Sequence, residues 1–296
     1  MVSSKIEDQQ LSINDVGQSR SLKSYSLNEV KTIFDKDFYI DLGSDWTMPA
    51  LRHYQNEISS GKCLLINDAT LLFASKSQRS KDRITNGLSE LIADQKYIYQ
   101  NFCQENKFVL KGKVTAIMNI TTEAYEDYKN RLFKLTFAER FLTLYHELTR
   151  SEKEDWTSKQ EVSQKLRYPE KITVDDIETN VQIPKKYFAA ITAISREYSY
   201  LSMKTFVGCQ DTVKGVIRAH ASLNKRKEVC TDDFMFVLML KKYLMNPHNP
   251  EGLIVKLRAQ GLSISDICLR IGKTPNYRQQ VQRVLEKARL RGILDA

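Results

Sequence analysis

The chain has 296 residues, 42% of them hydrophobic and 27% charged, with 11 Gly and 6 Pro. That is enough apolar material for two or three units with cores of their own, and it excludes a collagenous, low-complexity or integral-membrane chain. Forty-five Lys and Arg against thirty-six Asp and Glu leave a formal charge of +9, which favours an anionic partner such as nucleic acid.

The first twenty residues hold no apolar h-region, and Phe234 to Leu240 is too short an apolar run to span a bilayer. A cytoplasmic protein with no membrane partner is expected. Cys63, Cys103, Cys209, Cys230 and Cys268 are spread without a C-x-x-C pair, so reduced thiols packed as small hydrophobes are expected. His53, His146, His220 and His248 are equally scattered, and any His-based metal site would have to be assembled in three dimensions.

Up to about Leu148, short β-type runs alternate with helical ones: LSINDV, SLNEVKTIF, FYIDL, MPALRHYQNEI, CLLIND, RITNGLSELIAD and VTAIMNI. Alternation of this kind predicts an α/β domain over residues 1–150, a parallel sheet covered by helices on both faces. Residues 151–183 are polar and charge-rich and read as a linker with a short helix or two. Residues 184–246 are nearly all helical in pattern, with a capping signal at TDDF, and read as a small helical domain. After the breaker NPHNP, residues 251–296 read as three short helices.

Gly17, Gln18, Ser19, Arg20, Ser21, Leu22, Lys23 and Ser24 have the spacing G-x-x-x-x-G-K-[ST], between a candidate strand and a candidate helix. In such a loop successive backbone N–H groups form an anion nest, the Lys reaches the outer phosphates and the Ser joins a Mg²⁺ shell. Leu22 stands where the second glycine belongs, which requires a negative φ and a side chain turned away from the nucleotide. Further on, CLLIND ends in Asn67-Asp68, as a buried strand that delivers polar groups beside a phosphate loop would. Asn67 can hold a Mg²⁺-bound water but adds no charge, and Asp68 takes the general-base position. Val114 to Met118 ends in Asn119, which suits orientation of an attacking water. Arginines follow in NRLF and FAERF, and Arg140 is favoured over Arg131 as one that completes the site of a neighbouring subunit.

In order and spacing, GQSRSLKS, CLLIND, VTAIMN and the arginines resemble the Walker A, Walker B, sensor-1 and arginine-finger positions of the AAA+ ATPases. Gly208 to Phe234 is similar to the lid helices of the replicative branch, the minichromosome-maintenance helicases and origin-recognition ATPases. The resemblance covers residues 10–245 and makes Arg218 a sensor-2 residue. It implies a P-loop NTPase core with a helical lid, ATP and Mg²⁺ as ligands, Ser24, Asn67 and Asp68 around the metal, and homo-oligomers joined through an arginine finger.

At the C-terminal end, Ser263 or Ser265 is expected to cap a second helix whose Ile267, Leu269 and Ile271 face the core. Gly272 ends that helix, and Thr274 with Pro275 opens the third. Lys273, Asn276, Tyr277, Arg278, Gln279, Gln282 and Arg283 would then meet the phosphates and base edges of duplex DNA. Over residues 252–296 nine basic residues stand against three acidic ones, so the charge is concentrated where the helix-turn-helix pattern is. The segment resembles winged-helix domains through helix three, without a wing hairpin. The functional expectation is a nucleotide-dependent DNA-binding ATPase acting in replication or a related DNA transaction, including one of a mobile element. The alternative is a catalytically impaired ATPase scaffold serving as a DNA-binding regulator. A metabolic P-loop enzyme would need a substrate pocket of which the sequence shows no sign.

Overall fold

A computed structural model describes residues 1–6, 11–18, 23–43, 46–70, 77–101, 106–134, 137–146, 171–247 and 249–294. Five parallel strands form the central sheet: β1 (Ser12–Gly17), β2 (Tyr39–Leu42), β3 (Cys63–Ile66), β6 (Ala116–Thr121) and β7 (Phe141–Tyr145), in the order β2-β3-β6-β1-β7. Cys63 to Ile66 are fully buried on both faces, as an unbroken apolar run in the middle of a parallel sheet demands. Between β3 and β6 the chain adds an antiparallel hairpin, β4 (Lys96–Asn101) and β5 (Asn106–Lys111), outside the main sheet.

The helices divide between the faces according to the direction of each crossover. The β1 to β2 connection runs one way along the sheet, through α1 (Lys23–Ile33). The later connections run back, through α2 (Gln55–Ser59), α3 (Gln78–Asp94) and α4 (Thr122–Lys134). Right-handed crossovers in opposite directions put their helices on opposite faces. Accordingly Leu27 of α1 packs on Cys63 and Leu65, while Ile58, Leu88, Leu91 and Tyr125 pack on Leu64, Ile66 and Met118 from the other side.

The helical region consists of α5 (Phe188–Ser202), α6 (Phe206–Leu223) and α7 (Thr231–Leu240). Its core, with Ile191, Tyr198, Val213, Ile217 and Val237, lies against Leu11, Ile13, Leu142 and Leu144 on the α1 side of the sheet. Asp233 is fully buried at the start of α7, and its carboxylate accepts from His220 Nδ1 (2.6 Å), Arg226 Nη2 (2.6 Å) and the Cys230 amide (2.7 Å). So many donors are what a buried carboxylate requires.

Three further helices follow: α8 (Glu251–Ala259), α9 (Ile264–Arg270) and α10 (Arg278–Leu290). Ile254, Val255, Ile267, Cys268, Val281, Leu285 and Ala288 make their shared core. The group docks on α5, where Lys256 pairs with Glu197 at 2.6 Å and Gly252 lets α8 approach the Leu201 carbonyl. Among the described residues no helix is long and apolar enough to cross a membrane. Cys63, Cys209 and Cys268 are buried free thiols and Cys230 is half-buried. Cys103 and His248 lie outside the described residues.

Candidate functional site

In an open parallel sheet a ligand crevice opens at the carboxyl edge where neighbouring strands send their connections in opposite directions. Here that point lies between β1 and β6. The connection after β1 leaves toward β2, and the one after β6 passes back over β1 to β7. Gly17 ends β1 at this point, and Lys23 opens the eleven-residue α1. Gly17 is buried and Gln18 exposed. Ser19, Arg20, Ser21 and Leu22 lie outside the described residues. For Lys23 and Ser24 the helical backbone is described and the side chains are not. The first N–H groups of α1 have no acceptor within the helix, and they lie at the positive end of its dipole.

The neighbouring strands bring polar groups to the same edge. Asn119 of β6 stands in register with Asp15 of β1, and the pairing of β3 with β6 puts Asn67, one residue past Ile66, beside Asn119. Strand alternation gives these three the same face as Ile13, Leu65 and Ile117, the face that carries α1. Asn119 is only 3% exposed, yet neither its Nδ2 nor its Oδ1 has a hydrogen-bond partner. Asn67 Oδ1 and Thr122 Oγ1 are likewise buried and unpartnered. A buried amide left unpaired costs about 1–3 kcal/mol, which a bound ligand or ordered water would recover.

Asp68 is exposed in the turn after β3, and its Oδ1 accepts from the Thr70 amide at 3.1 Å. Thr70 Oγ1 in turn accepts from the Thr121 amide at 3.1 Å, tying that turn to the end of β6. Beyond β7, the His146 amide donates to the Val16 carbonyl at 2.7 Å, and its Nδ1 lies 4.0 Å from Asp15 Oδ1. Asp15, Thr70, Thr121 and His146 were not among the residues singled out from sequence. For Asp15 the signal was present, since it alternates with Ser12, Asn14 and Val16 in the strand that feeds the loop. Among the described residues no group of three or more His, Cys, Asp or Glu side chains converges to hold a metal ion. A Mg²⁺ here would rely on Asp68, phosphate oxygens and water, which is a usual donor set for that ion.

Arg140 and Arg218 do not join this edge in their own chain. Arg140 directly precedes β7, whose first residue Phe141 pairs with Ser12 at the start of β1. Arg140 and Arg218 both line a cleft together with Leu11 and Lys113, the residues just before β1 and β6. They therefore sit at the amino edge, about 17 Å along the strands from Gly17. Arg218, the expected sensor-2 residue, thus lies in the same amino-edge cleft as Arg140. The side chain of Arg131 is not described.

At the other end of the chain the three expected helices are present, with shifts in detail. Ser263 caps α9 by accepting from the Asp266 amide at 3.2 Å, and Gly272 follows it with φ +68. Pro275–Tyr277 form a 3-10 turn, so α10 starts at Arg278. Leu269 does not face the core: it is 71% exposed, and Cys268 is buried instead. Ile267 and Leu269 are two residues apart and so lie on opposite sides of a helix. Lys273, Asn276, Arg278, Gln279, Gln282 and Arg283 are exposed, whereas Tyr277 is half-buried with the Lys273 ammonium 5.7 Å from its ring centre. Arg278 Nη2 also donates to Ser265 Oγ at 2.9 Å. Of the nine basic residues, Lys256 and Lys287 are engaged by Glu197 and Glu251, Arg258 and Arg291 are half-buried and donate to the Leu262 and Met203 carbonyls, and Arg270, Lys273, Arg278, Arg283 and Arg289 are exposed. No protein-family model matches this sequence, and no curated protein matches it.

Proposed function

We propose that this chain binds ATP with Mg²⁺ at the carboxyl edge between β1 and β6 and binds duplex DNA through α10, as a AAA+-type protein acting in replication or a related DNA transaction. One observation carries the nucleotide half. The phosphate-loop motif joins Gly17 to the amino end of α1 at the switch point of the sheet, above a row of Asn67, Asn119 and Asp15 in which the Asn119 amide and Asn67 Oδ1 are buried without partners. In this reading the loop amides and Lys23 hold the phosphates. Ser24, Asn67 and Asp68 hold the metal, directly or through water. Asp68 takes the proton of an attacking water that Asn119 orients. Bound Mg²⁺ would neutralise charge that develops on the transferred phosphoryl group.

A second reading, binding without efficient hydrolysis, is favoured by two observations. Asn67 supplies no charge where a second carboxylate would serve the metal, and Arg140 and Arg218 stand at the far edge of the sheet. In the first reading a neighbouring copy supplies Arg140 through a homo-oligomer. For the DNA half, the exposed polar and basic face of α10 supports groove and phosphate contacts.

The test is a titration with a fluorescent ATP analogue, with and without Mg²⁺, on the full chain and on Lys23→Ala, followed by phosphate release. Micromolar binding that falls at least tenfold in Lys23→Ala supports the site, and phosphate release then separates the two readings. Equal binding by both proteins overturns it.

A further inference from the structure

The amino edge of the sheet carries a second candidate site. Between it and the helical region opens a cavity of about 1010 Å³, a size at the upper end of small-molecule pockets. One wall is α6, whose Val207, Asp211, Lys214 and Arg218 recur at helical spacing and so form a single stripe. Opposite stand Lys113 and Arg140, each one to three residues before its strand. Among the described residues four cations line the cavity together with two acids, Glu139 and Asp211.

The acidic groups are already engaged. Glu139 Oε2 accepts from the Thr205 amide and hydroxyl at 3.1 Å each, which satisfies the amino end of α6. Asp211 lies 4.0 Å from Lys214, and the Lys113 ammonium donates to the Ile6 carbonyl, so both lysines are held in place at the cavity wall. Arg140 Nε donates to Ser89 Oγ at 2.7 Å, a bond that fixes the side chain and leaves its terminal nitrogens for another acceptor. The remaining lining is apolar, with Leu11, Ile92 and Ile183, and Phe188 and Val207 are 51% and 65% exposed.

We propose that this amino-edge cavity binds an organic phosphate of about nucleotide size, its phosphate held by Arg140, Arg218, Lys113 and Lys214 and its body packed on Leu11, Phe188 and Val207. Each planar guanidinium can donate two parallel N–H bonds to a pair of phosphate oxygens, and the lysines add charge without demanding geometry. The apolar lining gives affinity that inorganic phosphate alone would lack. The proposal does not depend on nucleotide binding at the carboxyl edge, since the two sites lie at opposite ends of the strands.

The experiment titrates the full chain carrying Lys23→Ala, which silences the carboxyl-edge loop, with N-methylanthraniloyl-AMP. Inorganic pyrophosphate and citrate serve as competitors. One saturable site per chain is expected, displaced by pyrophosphate and weakened at least tenfold by Lys214→Gln and by Arg218→Gln. Lys214 is partly exposed on α6, so its variant keeps the fold, which its thermal transition checks. Absence of a saturable site overturns the proposal, as do unchanged affinities in both variants. Displacement by citrate as effective as that by pyrophosphate overturns the phosphate assignment.

Discussion

Asn119 of β6 faces Asp15 of β1 across the pair of strands where the sheet reverses its winding, with both polar atoms of the asparagine buried and unpartnered. That relationship ties stability to function at one side chain. Asn119→Leu keeps the shape and removes the unpaired amide. It should raise the stability of the ligand-free chain by about 1–2 kcal/mol, seen as a later urea midpoint, while nucleotide affinity falls. A variant less stable than the parent would mean that the amide is satisfied in solution.

Lys204 joins α5 to α6 with its ammonium buried and without a hydrogen-bond partner, and burial pushes its pKa down to about 8. The unfolded value is near 10.4, so between these pH values the unfolded chain binds more protons and stability rises with pH. Below pH 8 the folded state carries the full cost of the buried charge. Lys204→Met should therefore be more stable than the parent at pH 7, by on the order of 3 kcal/mol, with the gap closing as pH approaches 10. Denaturant midpoints of both proteins at pH 7, 8.5 and 10 check this, and a gap independent of pH would contradict it.

A Cβ at Gly252 would lie 2.1 Å from the Leu201 carbonyl oxygen, a backbone atom that cannot swing aside. Gly252→Ala would otherwise gain about 1 kcal/mol of helix propensity. The clash reverses the sign, and a net loss of roughly 1–3 kcal/mol is expected from pushing α8 off α5. Equilibrium unfolding followed by circular dichroism measures it.

If α10 grips duplex DNA, Arg283 is exposed on its outer face and meets phosphate or base edges. Arg283→Ala should weaken binding several-fold and reduce the slope of log affinity against log salt by about 1. Fluorescence anisotropy with a labelled duplex between 50 and 200 mM salt, values at which such slopes are about linear, reads both quantities. A slope equal to the parent's would remove Arg283 from the interface.

Much of the α/β architecture was legible because apolar runs and turn residues mark local structure. LSINDV, FYIDL, CLLIND and VTAIMNI each contain or overlap a strand, RITNGLSELIAD lies in a helix, and so does SLNEVKTIF up to Ile33. The charged residues before FLTLY mask its strand pattern, and a residue just before a parallel strand must lie at the amino edge, as Arg140 does. The partners of Asp15 were beyond reach for another reason. Register between β1 and β6, a hundred residues apart in sequence, is set by tertiary packing rather than by local pattern. The hairpin β4 and β5 lacks a clear alternation, for Tyr97-Ile98-Tyr99 and Phe108-Val109-Leu110 are unbroken runs; the two strands pair only with each other, while Tyr97 and Leu110 join the core beside the sheet.

The most direct measurement is hydrogen–deuterium exchange of the full chain with and without ATP and Mg²⁺, read on peptides covering residues 12–27 and 116–125. Binding at the carboxyl edge predicts slower exchange in both peptides, lost in Lys23→Ala. Unchanged exchange there at saturating ATP, with protection confined to residues 205–218, would contradict the account and move the nucleotide to the amino-edge cavity.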